Sequence, residues 1–149
     1  MDLQASLKIS GHITLKLFGP DGSLKEKRSV HNVIVTAGKN FLAAWLAAAT
    51  QADYFMRYLA IGTGTTGAQV SNTTLETEVG TRGAGTLSSS NNIWTNQVTF
   101  AAGNGTGAIT EAGVFSASTS GTLFARQTFA VINKAAGDEL QVTWNVTLS

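Results

Sequence analysis

The sequence has no cysteine and a single proline, Pro20. Without cysteine there are no disulfides, no thiolate metal ligands and no cysteine nucleophile, and nothing ties the chain to an oxidising compartment. Charge is scarce as well. Lys, Arg, Asp and Glu make up 13% of the 149 residues, against roughly 25% in ordinary domains. The net charge of +1 supplies no field to steer nucleic acid or an acidic substrate. No apolar run approaches the roughly 20 residues of a membrane-spanning helix. The opening Met1-Asp2-Leu3-Gln4-Ala5-Ser6 has neither the basic start nor the apolar stretch of a secretory leader. A soluble protein made in the cytoplasm is the expectation.

Hydrophobic residues, by contrast, make up 43% of the chain. Its length suits one domain with a sizeable core of its own. The surface must then be covered by Thr, Ser, Asn and Gly, and a low charge also follows where surface is buried against partners.

The first segment alternates. Leu7, Ile9, Ile13, Leu15 and Leu17 take odd positions, while Lys8, Ser10, His12, Thr14 and Lys16 take even ones. Period two predicts a strand with one buried face. Gly11 falls where an apolar residue would sit and points to a bulge or a close backbone approach. Gly19-Pro20-Asp21-Gly22 predicts a turn, with a second strand from Leu24 toward Val30. Residues 1–35 are thus expected to form a β-hairpin or arm, and residues 36–149 a separate domain. Phe41, Leu42, Trp45, Leu46 and Ala49 then mark one face of a helix, with alanine filling the rest. Thr73-Thr74-Leu75-Glu76 fits a capping box and predicts a further turn or two of helix to about Val79. Strands are expected at Met56–Ile61, Ile93–Ala101, Ala108–Phe115, Thr122–Val131 and Glu139–Leu148, with a loop or irregular strand between Gly80 and Asn92. The fold class is mainly β: an antiparallel β-sandwich or jelly-roll-like domain with one short α-helix and an N-terminal β-hairpin arm.

Chemical motifs are few. Gly62-Thr63-Gly64-Thr65-Thr66-Gly67 is formally a G-x-G-x-x-G, but no helix follows at once to hold a pyrophosphate, so a plain loop is expected. His12 and His31 lie in no nucleophile motif and are expected as solvated or interface polar residues. Glu76 and Glu78 are explained by the capping box. No catalytic group, metal site or cofactor is expected. Trp45 and Trp94 are the only hints of sugar stacking, and both suit a core better. Lys25-Glu26-Lys27-Arg28 is the one charge run: a solvated strand edge, or, through Lys25, Lys27 and Arg28, candidate contacts to an acidic partner surface. Arg126 sits within an apolar strand, and Glu111 within a comparable one. A charge so placed must face solvent, be paired or lie at an interface. A Glu111–Arg126 structural ion pair is therefore predicted.

A family resemblance runs from Val30 to Ser149. Its residues are Asn32-Val33-Ile34-Val35-Thr36-Ala37-Gly38-Lys39, Tyr58-Leu59-Ala60-Ile61-Gly62-Thr63-Gly64, Leu75-x-x-Glu78 with Arg82, Gly107-Ala108-Ile109-Thr110-Glu111-Ala112-Gly113-Val114-Phe115, Leu123-Phe124-Ala125-Arg126, and Val142-Thr143-Trp144-Asn145-Val146. This pattern resembles a group of tailed-bacteriophage virion structural proteins of the capsid decoration (cement) or tail-associated type. The resemblance implies a non-enzymatic protein located in the virion and assembled in the host cytoplasm. A cement protein would bridge subunits of the major capsid protein with its arm, as a homo-oligomer with a trimer favoured. A tail, baseplate or fibre component, with or without receptor or carbohydrate binding, is the alternative it leaves. Neither nucleic acid nor membrane is an expected partner.

Overall fold

The structure, a computed structural model, describes residues 6–48 and 55–149. It is mainly β, with 56% of the described residues in strands. The strands are β1 (Ile9–Phe18), β2 (Leu24–Ile34), β3 (Tyr58–Gly62), β4 (Glu78–Ala84), β5 (Thr86–Ser90), β6 (Ile93–Phe100), β7 (Gly107–Phe115), β8 (Leu123–Lys134) and β9 (Glu139–Leu148), with one helix, α1 (Thr36–Ala47), between β2 and β3. All strand pairs are antiparallel, in the order β4-β3-β7-β8-β2-β1-β9-β6-β5. The two edge strands, β4 and β5, are consecutive in the chain and meet at Gly85, so the sheet nearly closes into a barrel. A Cβ on Gly83 would lie 2.2 Å from Val98 Cγ1, which shows how tightly β4 lies against β6 at this seam.

The alternation read in the first segment is the inner face of the barrel. Ile13, Leu15 and Leu17 are fully buried and stand opposite Trp144, Val142 and Leu140 of β9. Both strands carry their apolar residues at the same phase, so one register buries both sets, and a slip by one residue would expose both. Phe100, Ile109, Val114 and Ile132 complete the same core from the remaining strands. Gly11 carries no bulge. It is a close approach, since a Cβ there would collide with the Asn32 side chain. The bulge in this hairpin lies at Leu17/Phe18 instead. The Gly19–Gly22 turn is held by Asp21, whose carboxylate accepts from the Ser23 amide at 3.0 Å and the Ser23 hydroxyl at 2.6 Å.

Two expectations change. β1 and β2 do form a hairpin, but it is no arm. It occupies the middle of the sheet, with β1 bonded to β9 along its whole length and Val33 and Ile34 of β2 bonded to Arg126 and Ala125 of β8. The apolar face of β1 explains this, because burying it requires neighbours on both sides. Second, residues 73–77 form no helix. Glu76 does not turn back to cap Thr73. It reaches across to Thr66, accepting from the Thr66 amide at 2.8 Å and its hydroxyl at 2.9 Å. Gly80–Asn92 resolves into β4, β5 and the turn leading into β6.

α1 is weakly specified on its own. It has no side-chain cap, no acid in its first turn and no base in its last, and at 12 residues it is marginal in isolation. Docking holds it. Gly38 is its only buried residue, and a Cβ there would come within 2.3 Å of the Phe124 carbonyl oxygen. Backbone thus meets backbone at the helix start. The anticipated apolar face is not sealed: Phe41, Leu42 and Trp45 are half-buried, and Leu46 is 72% exposed. Ala49 lies outside the described residues.

Candidate functional site

Two constructions stand at opposite ends of β3. At its C-terminal end the chain builds a closed polar staple. Glu111, on β7, is fully buried. One carboxylate oxygen accepts from the Gly64 amide at 3.1 Å and the Thr77 amide at 2.7 Å. The other accepts from the Glu76 amide at 3.1 Å and from Arg126 Nε at 2.9 Å. Arg126, on β8 and equally buried, pairs with Glu111 through Nη2 at 2.8 Å. It also donates to Asn72 Oδ1 at 3.0 Å and to the Thr66 carbonyl at 2.9 Å. The two residues named from the sequence are therefore in contact, and the contact is diagonal: Arg126 faces Gly113 in the register and Glu111 faces Thr128. Every partner beyond the pair comes from the loop between β3 and β4, so the pair pins that loop. A buried ion pair is tolerable only when its remaining donors and acceptors are met, and here they are. Glu76, on the loop's outer side, has its carboxyl held below the usual value of 4.5, chiefly by the Thr66 amide and then by its hydroxyl.

The glycine motif belongs to this staple. A Cβ at Gly62 or Gly64 would lie 2.5 Å from Glu111 Oε1, whereas one at Gly67 would meet nothing. The first two glycines make room for a carboxylate of the protein itself, and the third is not required. A neighbouring clamp uses Arg82, which pairs with Glu78 at 2.7 Å, stacks 3.5 Å above the Phe115 ring and donates to the carbonyls of Ala117 and Ser120.

At the N-terminal end of β3 the described residues leave the barrel open. An apolar cavity of about 290 Å³ lies between α1 and the strand ends, lined on one side by Phe41, Leu42, Trp45 and Phe55, and on the other by Trp94 and Phe124. Ile9, Val146 and Leu148 form its floor at the ends of β1 and β9, and every lining residue is apolar. Trp94 meets Phe124 edge to face, with ring centres 6.2 Å apart. Asn96 secures the rim from within, its amide donating to the carbonyls of Met56 and Arg57. Two of the lining side chains are themselves exposed, Phe55 at 52% and Leu148 at 39%. Small-molecule sites orient their ligands with a few polar groups. This cavity offers little beyond the indole edges of Trp45 and Trp94, and it suits an apolar protein surface better than a sugar. Trp45 and Trp94, expected in a core, are half-buried here. Phe55 and Leu87 were not singled out from the sequence. The signal available was a helix whose apolar face is wider than one strand can cover.

The remaining candidates are dispersed. Lys25 Nζ pairs with the buried Asp138 at 2.8 Å, and this bond, followed by the Ala135 amide, holds the Asp138 carboxyl below its usual 3.8. Arg28 pairs with Glu26 at 3.1 Å and reaches the Val131 carbonyl. Lys27 is exposed. Two of the three basic residues thus stitch β2 to its own surroundings. His12 and His31 face one another across β1 and β2 on the outer surface, and His12 Nε2 lies 3.1 Å from Ser29 Oγ. Among the described residues no carboxylate is hydrogen-bonded to either ring to orient it, as an activated nucleophile requires. Among the described residues no three His, Asp or Glu side chains cluster to hold a metal, and no helix is long and apolar enough to cross a membrane.

A scan against protein-family models, a search of the curated proteins and a search of the solved structures each return no match.

Proposed function

We propose that this chain is a non-enzymatic virion structural protein of a tailed bacteriophage, in particular a capsid decoration (cement) protein that stabilises the shell by bridging capsid subunits as a homotrimer. The observation that carries this is the open apolar end: a cavity lined almost wholly by apolar surface, with exposed Phe55 and Leu148 in its lining and exposed Leu46 on the helix that supplies Phe41, Leu42 and Trp45. Apolar patches of this kind on otherwise polar proteins mark contact surfaces. The resemblance over Val30–Ser149 supplies the class of particle. The contact no longer runs through an arm. Removing residues 1–29 would delete β1 and half of β2 from the centre of the sheet, so the helix end takes over that role. Three copies meeting through their apolar ends would bury the surface that each leaves open, and multivalency would then turn modest contacts with the shell into stable attachment. We also take the curled sheet as a flattened, sandwich-like body, since β1, β9 and β6 share one core with β3, β7 and β8.

The test is the protein's abundance in purified particles. Stoichiometry with the major shell protein is the expected result. A copy number that follows the tail would favour the alternative, a tail, baseplate or fibre component, and glycan binding by the isolated chain would favour its receptor-binding form. Absence from particles would end both.

A further inference from the structure

We propose that His12 and His31 form a two-histidine chelate for a late first-row divalent cation, the chemical class of Cu²⁺, Ni²⁺ and Zn²⁺. They are the chain's only histidines, and the fold sets them directly opposite each other on neighbouring strands. Their ring centres are 5.3 Å apart, with the ring planes at 75°. Directly opposed residues of an antiparallel ladder hold their Cβ atoms roughly 5 Å apart. Zinc–imidazole bonds are about 2.0–2.1 Å long, so two nitrogens sharing an ion stand about 3 Å apart. Rings already in contact reach that spacing by rotating about their side-chain bonds, with no change in the backbone.

The surroundings suit this donor set. Ser29 lies on the same outer face, and its hydroxyl is 3.1 Å from His12 Nε2. In the tautomer whose Nε2–H donates to Ser29, the lone pair of His12 is left on Nδ1 for the ion. A hydrogen bond from the second ring nitrogen is how metal-binding histidines are commonly oriented. Thr14 and Asn145, the register partners of Ser29 and His12, are uncharged, so neither a carboxylate nor an ammonium competes beside the rings. Two neutral imidazoles select Cu²⁺, Ni²⁺ and Zn²⁺ over Mg²⁺ and Ca²⁺. The other coordination positions go to water. The site stands on the polar outer face of β1 and β2 and is independent of the assembly proposed for the apolar end.

The experiment is calorimetric titration of the tag-free full chain with Cu²⁺, Ni²⁺, Zn²⁺ and Mg²⁺, alongside His12→Gln, His31→Gln and the double variant. Wild type is expected to bind Cu²⁺ more tightly than Ni²⁺ or Zn²⁺ and to give no heat with Mg²⁺. Each single variant is expected to weaken Cu²⁺ binding by about tenfold or more, because each leaves a single ligand without its chelating partner. The Cu²⁺ resonance spectrum should lose one of two coupled nitrogens in either single variant. Both side chains lie outside the core, so melting curves of the variants should match wild type. Wild-type Cu²⁺ affinity in either single variant would overturn the proposal, as would undiminished binding by the double variant or no binding by wild type.

Discussion

The two ends of β3 solve opposite problems. At one end a fully buried carboxylate and a fully buried guanidinium have every partner they need, supplied by a single loop. At the other, eleven apolar side chains line a cavity that the described residues leave open. The first end uses the most expensive groups to bury and satisfies them internally. The second leaves the cheapest groups to bury in contact with water. The contrast separates a site whose groups are satisfied from one that is not. On the assembly proposed above, the first end fixes shape and the second meets another molecule.

Substitutions grade the two ends. The largest loss is expected for Glu111→Ala, which strands Arg126 and three loop amides together. Breaking a buried pair costs about 3–5 kcal/mol, read as a lower midpoint in urea denaturation. Arg126→Ala should cost less, since the loop amides keep their acceptor, and a double-mutant cycle should show strong coupling. Equal costs for the two would contradict the view that Glu111 organises the loop. Next comes Gly38→Val, which pushes α1 off the Phe124 carbonyl at the open end. Overpacking of this kind costs about 1–3 kcal/mol. The same urea midpoints check it, and tryptophan fluorescence should shift as Trp45 and Trp94 move apart.

A smaller effect concerns pH. The Asp138 carboxyl is held below 3.8, first by Lys25 and then by the Ala135 amide. A carboxyl depressed by folding contributes stability that is complete above its ordinary value and lost as pH falls through its folded one. Glu76, depressed from 4.5, acts in the same direction. The melting temperature should therefore be steady down to about pH 5 and fall below it, and Asp138→Asn should reduce that fall. An unchanged slope in the variant would remove Asp138 from the account. The smallest effect on stability is expected for Leu46→Glu. This side chain is 72% exposed, and surface changes lie within about 0.5 kcal/mol. Melting curves should show no loss, although the substitution places a charge on the proposed contact.

The sequence revealed most where a single period rules. The phase of β1 and β9 is plain in Leu15, Leu17, Val142 and Trp144, because each strand has one wet and one dry face. A charge inside an apolar strand likewise pointed to the Glu111–Arg126 pair. What it could not reveal was which neighbour a strand takes. β1 reads as an arm when seen alone, and only its pairing with β9, some 130 residues further along the chain, places it in the centre. The capping box failed for a related reason. Glu76 had a better acceptor role across the loop, with Thr66, than within a short helix. The open end was half legible: the helix was clear, but how little of its apolar face β8 would cover depends on Gly38 docking only its first turn.

The central claim is that the apolar end is an assembly surface, and the mass of the protein in solution tests it most directly. Light scattering on wild type and on the Leu46→Glu/Phe55→Glu variant at matched concentration, with melting curves to confirm folding, is the measurement. Three times the 15.5 kDa chain mass is expected for wild type, and the single-chain mass for a variant that melts as wild type does. A wild-type protein that stays at 15.5 kDa across the concentration range, or a variant that assembles as wild type does, would contradict it.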